Sequence, residues 1–230
     1  MNRIATTFAT LKSQDRKALI PFITAGDPDP SMTVPLMREM VRAGVDVIEL
    51  GVPFSDPMAD GPTIQRSSER ALKYHVSLNN VFGMVSEFRK TDDNTPVVLM
   101  GYANPVEVMG YETFATKAKA SGVDGVLTVD YPPEESESWV AQLNKQGIDA
   151  IFLMSPTTLQ SRMKHVAKLA QGYVYYVSLK GVTGASSMNL VEVADMMAQL
   201  RENISIPIGV GKQFISKVVL QGWLSLKYSA

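Results

Sequence analysis

Cysteine is absent from the 230 residues, which excludes disulfides, thiolate metal sites and a cysteine nucleophile. Histidine is nearly absent. The two present, His75 and His165, read onto helical stretches as surface residues, and no histidine pair is spaced to hold a metal. No apolar run reaches the ~20 residues that a bilayer-spanning helix needs. The opening stretch MNRIATTFATLKSQDRK has no long apolar core of the kind a secretory signal carries. Neither sign of charge is in excess, with 22 Lys and Arg against 23 Asp and Glu. That balance gives no electrostatic reason to expect nucleic acid or an anionic membrane as partner. A glycine-rich dinucleotide motif and a P-loop are both missing. The expectation is a cytoplasmic protein with no bound metal and no membrane partner.

What the chain does have is a sizeable apolar fraction, 45%, arranged in a repeating pattern. AKASGVDGVLTVDYPP, NKQGIDAIFLMSPT and LAQGYVYYVSLKGVTG each pass from a helix end through Gly to an apolar strand and a polar loop. Three junctions share one signature: Gly44-Val45-Asp46, Gly122-Val123-Asp124 and Gly147-Ile148-Asp149. Such repeats imply βα units and a parallel sheet covered on both faces. Seven strands are expected, beginning near Leu19, Val47, Val97, Gly125, Ala150, Val174 and Ile206. Helices are expected over residues 3–13, from Pro30 behind an Asp29 cap, from Pro62 to about Tyr74, after Ser77, and after NPVEVMGYETF. The pattern does not settle whether the sheet is open or closed. In either architecture ligands sit at the carboxyl ends of the strands, so the polar loops line the site.

The stretch DVIELGVPFSDPMADGPTIQ, residues 46–65, organises the rest. Its strand alternation puts Val47, Glu49 and Gly51 on one side and Ile48 and Leu50 on the other. In a covered sheet Glu49 then points into a dry interior, where an ionised carboxylate is costly unless paired or neutralised. Asp60 follows on a Pro-flanked loop. A buried acid on a strand and an acid on the next loop can divide the roles of proton donor and acceptor. Spacing alone leaves open the blander reading of a satisfied core acid and turn aspartates.

PFITAGDP, DVIELGVPFSDPMADGPTIQ, MGYANPV, DGVLTVDYPPEE, SPTT and YYVSLKGVTGA, in this order, closely resemble the α subunit of tryptophan synthase over residues 1–211. The resemblance implies a (β/α)8 TIM barrel that cleaves indole-3-glycerol phosphate to indole and glyceraldehyde 3-phosphate. It also implies an α2β2 complex with a pyridoxal-phosphate-dependent β subunit that receives the indole, and no cofactor for the α reaction. Glu49 matches the family's general acid/base and Asp60 the acid that engages the indole N–H. Tyr175 matches a tyrosine beside the glutamate, although as a residue it is equally a core aromatic. Phe22, Ile64, Met100 and Tyr102 are carried over as substrate-binding residues of the apolar indole pocket. Thr183 and Gly184 match the loop after the sixth strand, where the threonine supports the loop aspartate and the glycine N–H binds phosphate.

After Gly211 the likeness stops. Lys212 and Gln213 stand where the family has Phe-Gly, and KQFISKVVLQGWLSLKYSA has no counterpart of the family's eighth βα unit or its phosphate-clamping Gly-Ser pair. The expected organisation is a barrel domain over 1–211 and a divergent tail over 212–230, as a frameshifted or prematurely ended gene would leave. Two further outcomes follow from that reading. One is an impaired subunit that only binds and activates β, the other a non-functional truncated product. A different phosphate-binding barrel of the same pathway is disfavoured because its catalytic lysine or cysteine pattern is missing.

Overall fold

Positive backbone angles at Gly44, Gly122 and Gly147, with φ of 89°, 91° and 65°, let three helices end and turn directly into buried strands. The computed structural model describes residues 2–177 and 190–211. In chain order the elements are α1 (Arg3–Ser13), β1 (Phe22–Thr24), α2 (Pro30–Arg42), β2 (Ile48–Gly51), α3 (Pro62–Leu72) and α4 (Leu78–Arg89). They continue with β3 (Val97–Gly101), α5 (Ala103–Met109), α6 (Tyr111–Ser121) and β4 (Gly125–Thr128). A 3-10 turn (Pro133–Glu135), α7 (Glu137–Lys145), β5 (Asp149–Met154), α8 (Gln160–Leu169), β6 (Val174–Val177), α9 (Leu190–Asn203) and β7 (Ile208–Gly211) complete the described chain.

The seven strands form one sheet in sequence order, every pairing parallel. The sheet is curled in the manner of a TIM barrel. Tyr173, at the foot of β6, reaches Glu49 on β2 at 2.6 Å, although three strands lie between them. Ile20, just ahead of β1, lies within 3.9 Å of the position a Cβ would take on Gly209 in β7.

Alternation along the strands divides the core in two. The inner cluster holds Val47, Val98, Leu127, Ile151 and Tyr173, closed by Ile4 and Phe8 of α1. The outer layer holds Ile48, Leu50, Val97, Leu99 and Val126, packed against Met37, Val85, Phe88, Phe114, Leu143 and Val166 of the surrounding helices. Both layers are predominantly apolar, as burial on both faces requires.

Local signals act as expected. Asp29 caps α2 by accepting from Ser31 N at 2.8 Å, with Pro30 in the first turn, and Ser77 forms a capping box with Asn80 at the start of α4.

Four expectations are corrected. Regular pairing begins at Phe22 rather than near Leu19, because Pro21 has no N–H to donate to a ladder. Helix α3 ends at Leu72, and His75 sits in the turn beyond it with φ of 56° rather than on a helix. His165 does lie on α8. The stretch NPVEVMGYETF, expected to lead into a helix, is itself helical: it holds most of α5 and the start of α6, which part at Gly110 with φ of 82°. The last strand starts at Ile208, two residues after Ile206, which Pro207 separates from it.

Thr183, Gly184 and the tail 212–230 lie outside the described residues. Among the described residues no helix is long and apolar enough to cross a membrane.

Candidate active site

Glu49 faces the inner cluster with 3% of its surface exposed. The Tyr173 hydroxyl donates to its Oε1 at 2.6 Å. Burial pushes the Glu49 carboxyl up to about 7, against the smaller downward pull of that hydrogen bond. Tyr173 is fully buried, and burial together with the negative charge of Glu49 raises its phenol well above the ordinary value, so it stays a donor. Tyr175, two residues on and on the same face, is raised first by burial and then by the charge of Glu49. It lies against Gly211, where a side chain would collide with its ring. Sequence reading selected Tyr175 and passed over Tyr173. The shared strand parity of the two tyrosines was the signal available for finding it.

Asp60 sits half-buried on the loop between β2 and α3. The loop folds through Met58 N donating to Asp56 O at 2.8 Å and Asp60 N donating to Pro57 O at 3.0 Å. From β3's end, the Tyr102 hydroxyl donates to Asp60 Oδ2 at 3.1 Å and accepts from Ala59 N at 3.0 Å. Gln65 on α3 holds the Asp60 carbonyl at 2.9 Å.

Asp60 lines a cleft at the carboxyl ends of β1 to β4. Phe22, Ile64, Met100 and Tyr102 all line it, together with Asp60, Val129, Thr24, Ser68 and Gly51. Gly51 makes room for the aromatic wall, since a Cβ there would lie 2.7 Å from Phe22 Cε2. Glu49 pairs in register with Phe22 and stands two residues before Gly51 on the same face. The Glu49 side chain therefore shares the face of Phe22 and Gly51, which line the cleft together with Asp60. Thr24, Ser68 and Val129 were not foreseen. Val129 shares the parity of Leu127, whereas the hydroxyl pair Thr24–Ser67, at 2.7 Å, joins residues 43 positions apart and leaves no local mark.

Among the described residues no group of three or more potential metal ligands converges. The chemistry on hand is a carboxyl pushed towards neutrality, a second carboxylate held by a phenol, and a largely apolar slot that the second lines. A parallel barrel sheet with such a pair towards its carboxyl end is the arrangement of an acid–base enzyme.

A sequence model of the tryptophan synthase alpha chain family matches residues 8–217. The alpha chain of Nitrosomonas europaea is 69% identical over 211 residues, covering 92% of this chain and 77% of that protein. That of Nitrosospira multiformis is 68% identical over the same length, covering 92% and 76%. The crystal structure of the alpha subunit from Legionella pneumophila superposes with a TM-score of 0.86 at 45% identity, over 93% of this chain and 79% of that one. A chain of the Mycobacterium tuberculosis tryptophan synthase gives 0.87 at 33% identity, over 99% and 86%. The chain belongs to the tryptophan synthase alpha chain family.

Proposed function

We propose that Glu49 and Asp60 divide the proton chemistry of this family's lyase reaction, the retro-aldol cleavage of indole-3-glycerol phosphate. Protonated Glu49 gives its proton to indole C3, making the ring an electron sink. Asp60 accepts a hydrogen bond from the indole N–H and offsets the positive charge that develops there. Glu49, now a carboxylate, takes the proton of the adjacent glycerol hydroxyl. The C–C bond breaks, its electrons return to the ring, and indole and glyceraldehyde 3-phosphate are released with Glu49 protonated again. The observation that carries this reading is the burial of Glu49, which sets its ionisation near 7, where one group can serve as both acid and base.

The product has a receiver. Alpha chains of the family work in complex with a β subunit, and an α2β2 assembly is described for the Pyrococcus furiosus enzyme. Met58, Val108 and Leu159 are 81%, 82% and 72% exposed. They lie beyond β2, β3 and β5, on the rim around the cleft, where an apolar partner surface would cover them. The same reading places the protein in the cytoplasm.

The test is indole release from indole-3-glycerol phosphate by the purified chain with a tryptophan synthase β subunit present. Glu49→Gln and Asp60→Asn should each lower kcat at least ~100-fold, the scale of a lost acid–base group. A near-normal rate in either variant removes that residue from the mechanism.

A further inference from the structure

We propose that Tyr102, beyond lining the indole slot, is a positioning residue that presets the catalytic loop and aims Asp60. The inference rests on the role given to Asp60 above. A phenol hydroxyl has one proton to donate and two lone pairs to accept with. Here the proton goes to Asp60 Oδ2 at 3.1 Å and a lone pair takes Ala59 N–H at 3.0 Å. The ring, meanwhile, stacks on Phe54 from the same loop, with centroids 5.2 Å apart and planes 27° from parallel. One side chain thus holds the loop at three successive points, residues 54, 59 and 60. Tyr102 can do this because it is itself immobile, only 4% exposed at the junction of β3 and α5. Burial, foremost, keeps its phenol protonated, and Asp60 adds to that effect. The carboxylate that must meet the indole N–H is therefore oriented before substrate arrives, which lowers the reorganisation required in the transition state.

A residue that only forms the apolar wall would tolerate Tyr102→Phe, which keeps the ring and the stack. A positioning residue would not. Tyr102→Phe should lower kcat at least ~10-fold while KM changes less than about threefold, since the lost interaction acts in the transition state. In an Asp60→Asn background the same change should cost less than about twofold, because the hydroxyl works through that carboxylate. Hydrogen exchange supplies a readout independent of turnover, with the Ala59 amide exchanging at least ~10-fold faster in Tyr102→Phe. Unchanged thermal unfolding would exclude a folding defect. The proposal is overturned by a Tyr102→Phe kcat within twofold of the parent, by equal losses with and without Asp60, or by unaltered Ala59 exchange. Should Asp60→Asn be fully active, the acid–base reading above fails. Ala59 exchange still decides whether Tyr102 holds the loop.

Discussion

Glu49 couples stability to catalysis in one carboxyl group. It ionises near 4.5 in an open chain and near 7 when folded. Between those values the folded state binds the extra proton, so stability is full below about pH 4.5, declines as pH rises and levels off above about 7. The decline is of the order of 3 kcal/mol. Glu49→Gln is neutral throughout and can still accept from Tyr173. Urea unfolding should find this variant close to the parent at pH 5 and more stable at pH 8, while its turnover is lost. Equal stability at pH 8 would mean that burial does not raise the ionisation of Glu49. Strand alternation made the burial of Glu49 readable from sequence. Its partner Tyr173 was not readable, because the contact spans 124 positions and exists only once the sheet has curled.

Helix α1 and the lower ends of β3 and β4 are joined by a buried ionic knot. Asp124, 4% exposed, accepts from Arg89 Nη2 at 2.7 Å, Arg3 Nη1 at 3.0 Å and Val97 N at 2.9 Å. Removing one partner strands a buried charge, so Arg89→Met should cost roughly 3 kcal/mol in urea unfolding. A loss below about 0.5 kcal/mol would show that Arg3 alone satisfies the aspartate. The start of this knot was visible as one of three Gly-x-Asp junctions, but its arginines lie 121 and 35 positions away and carry no local signal. Caps, glycine stops and strand count, which depend on neighbours in the chain, were legible. The α5–α6 break was hidden because Val106 and Phe114, both buried, stand eight residues apart and so keep helical phase across Gly110.

At the scale of the whole molecule, the parallel order β1 to β7 gathers the chemistry at one rim, and that rim carries the three most exposed large apolar side chains among the described residues. Parallel architecture and the cleft walls Phe22, Ile64, Met100 and Tyr102 could be drawn from sequence motifs. The phenol network around Asp60 could not, since it depends on the β2–α3 loop folding back onto β3. Val108→Asp and Leu159→Asp should each weaken binding of a tryptophan synthase β chain at least ~10-fold in calorimetry, with unfolding unchanged because both sites are exposed. Undiminished binding would place the partner elsewhere. The central claim is that a buried, protonated Glu49 starts the reaction. Its most direct test is kcat for indole release at saturating indole-3-glycerol phosphate, followed across neutral pH. Saturation avoids confusion with the substrate phosphate, whose second ionisation lies at about 6. The expected profile falls through a single ionisation near 7, while the residual rate of Glu49→Gln shows no such step. A parent rate that is flat through neutrality, or a Glu49→Gln variant that keeps both the rate and the step, would contradict the claim.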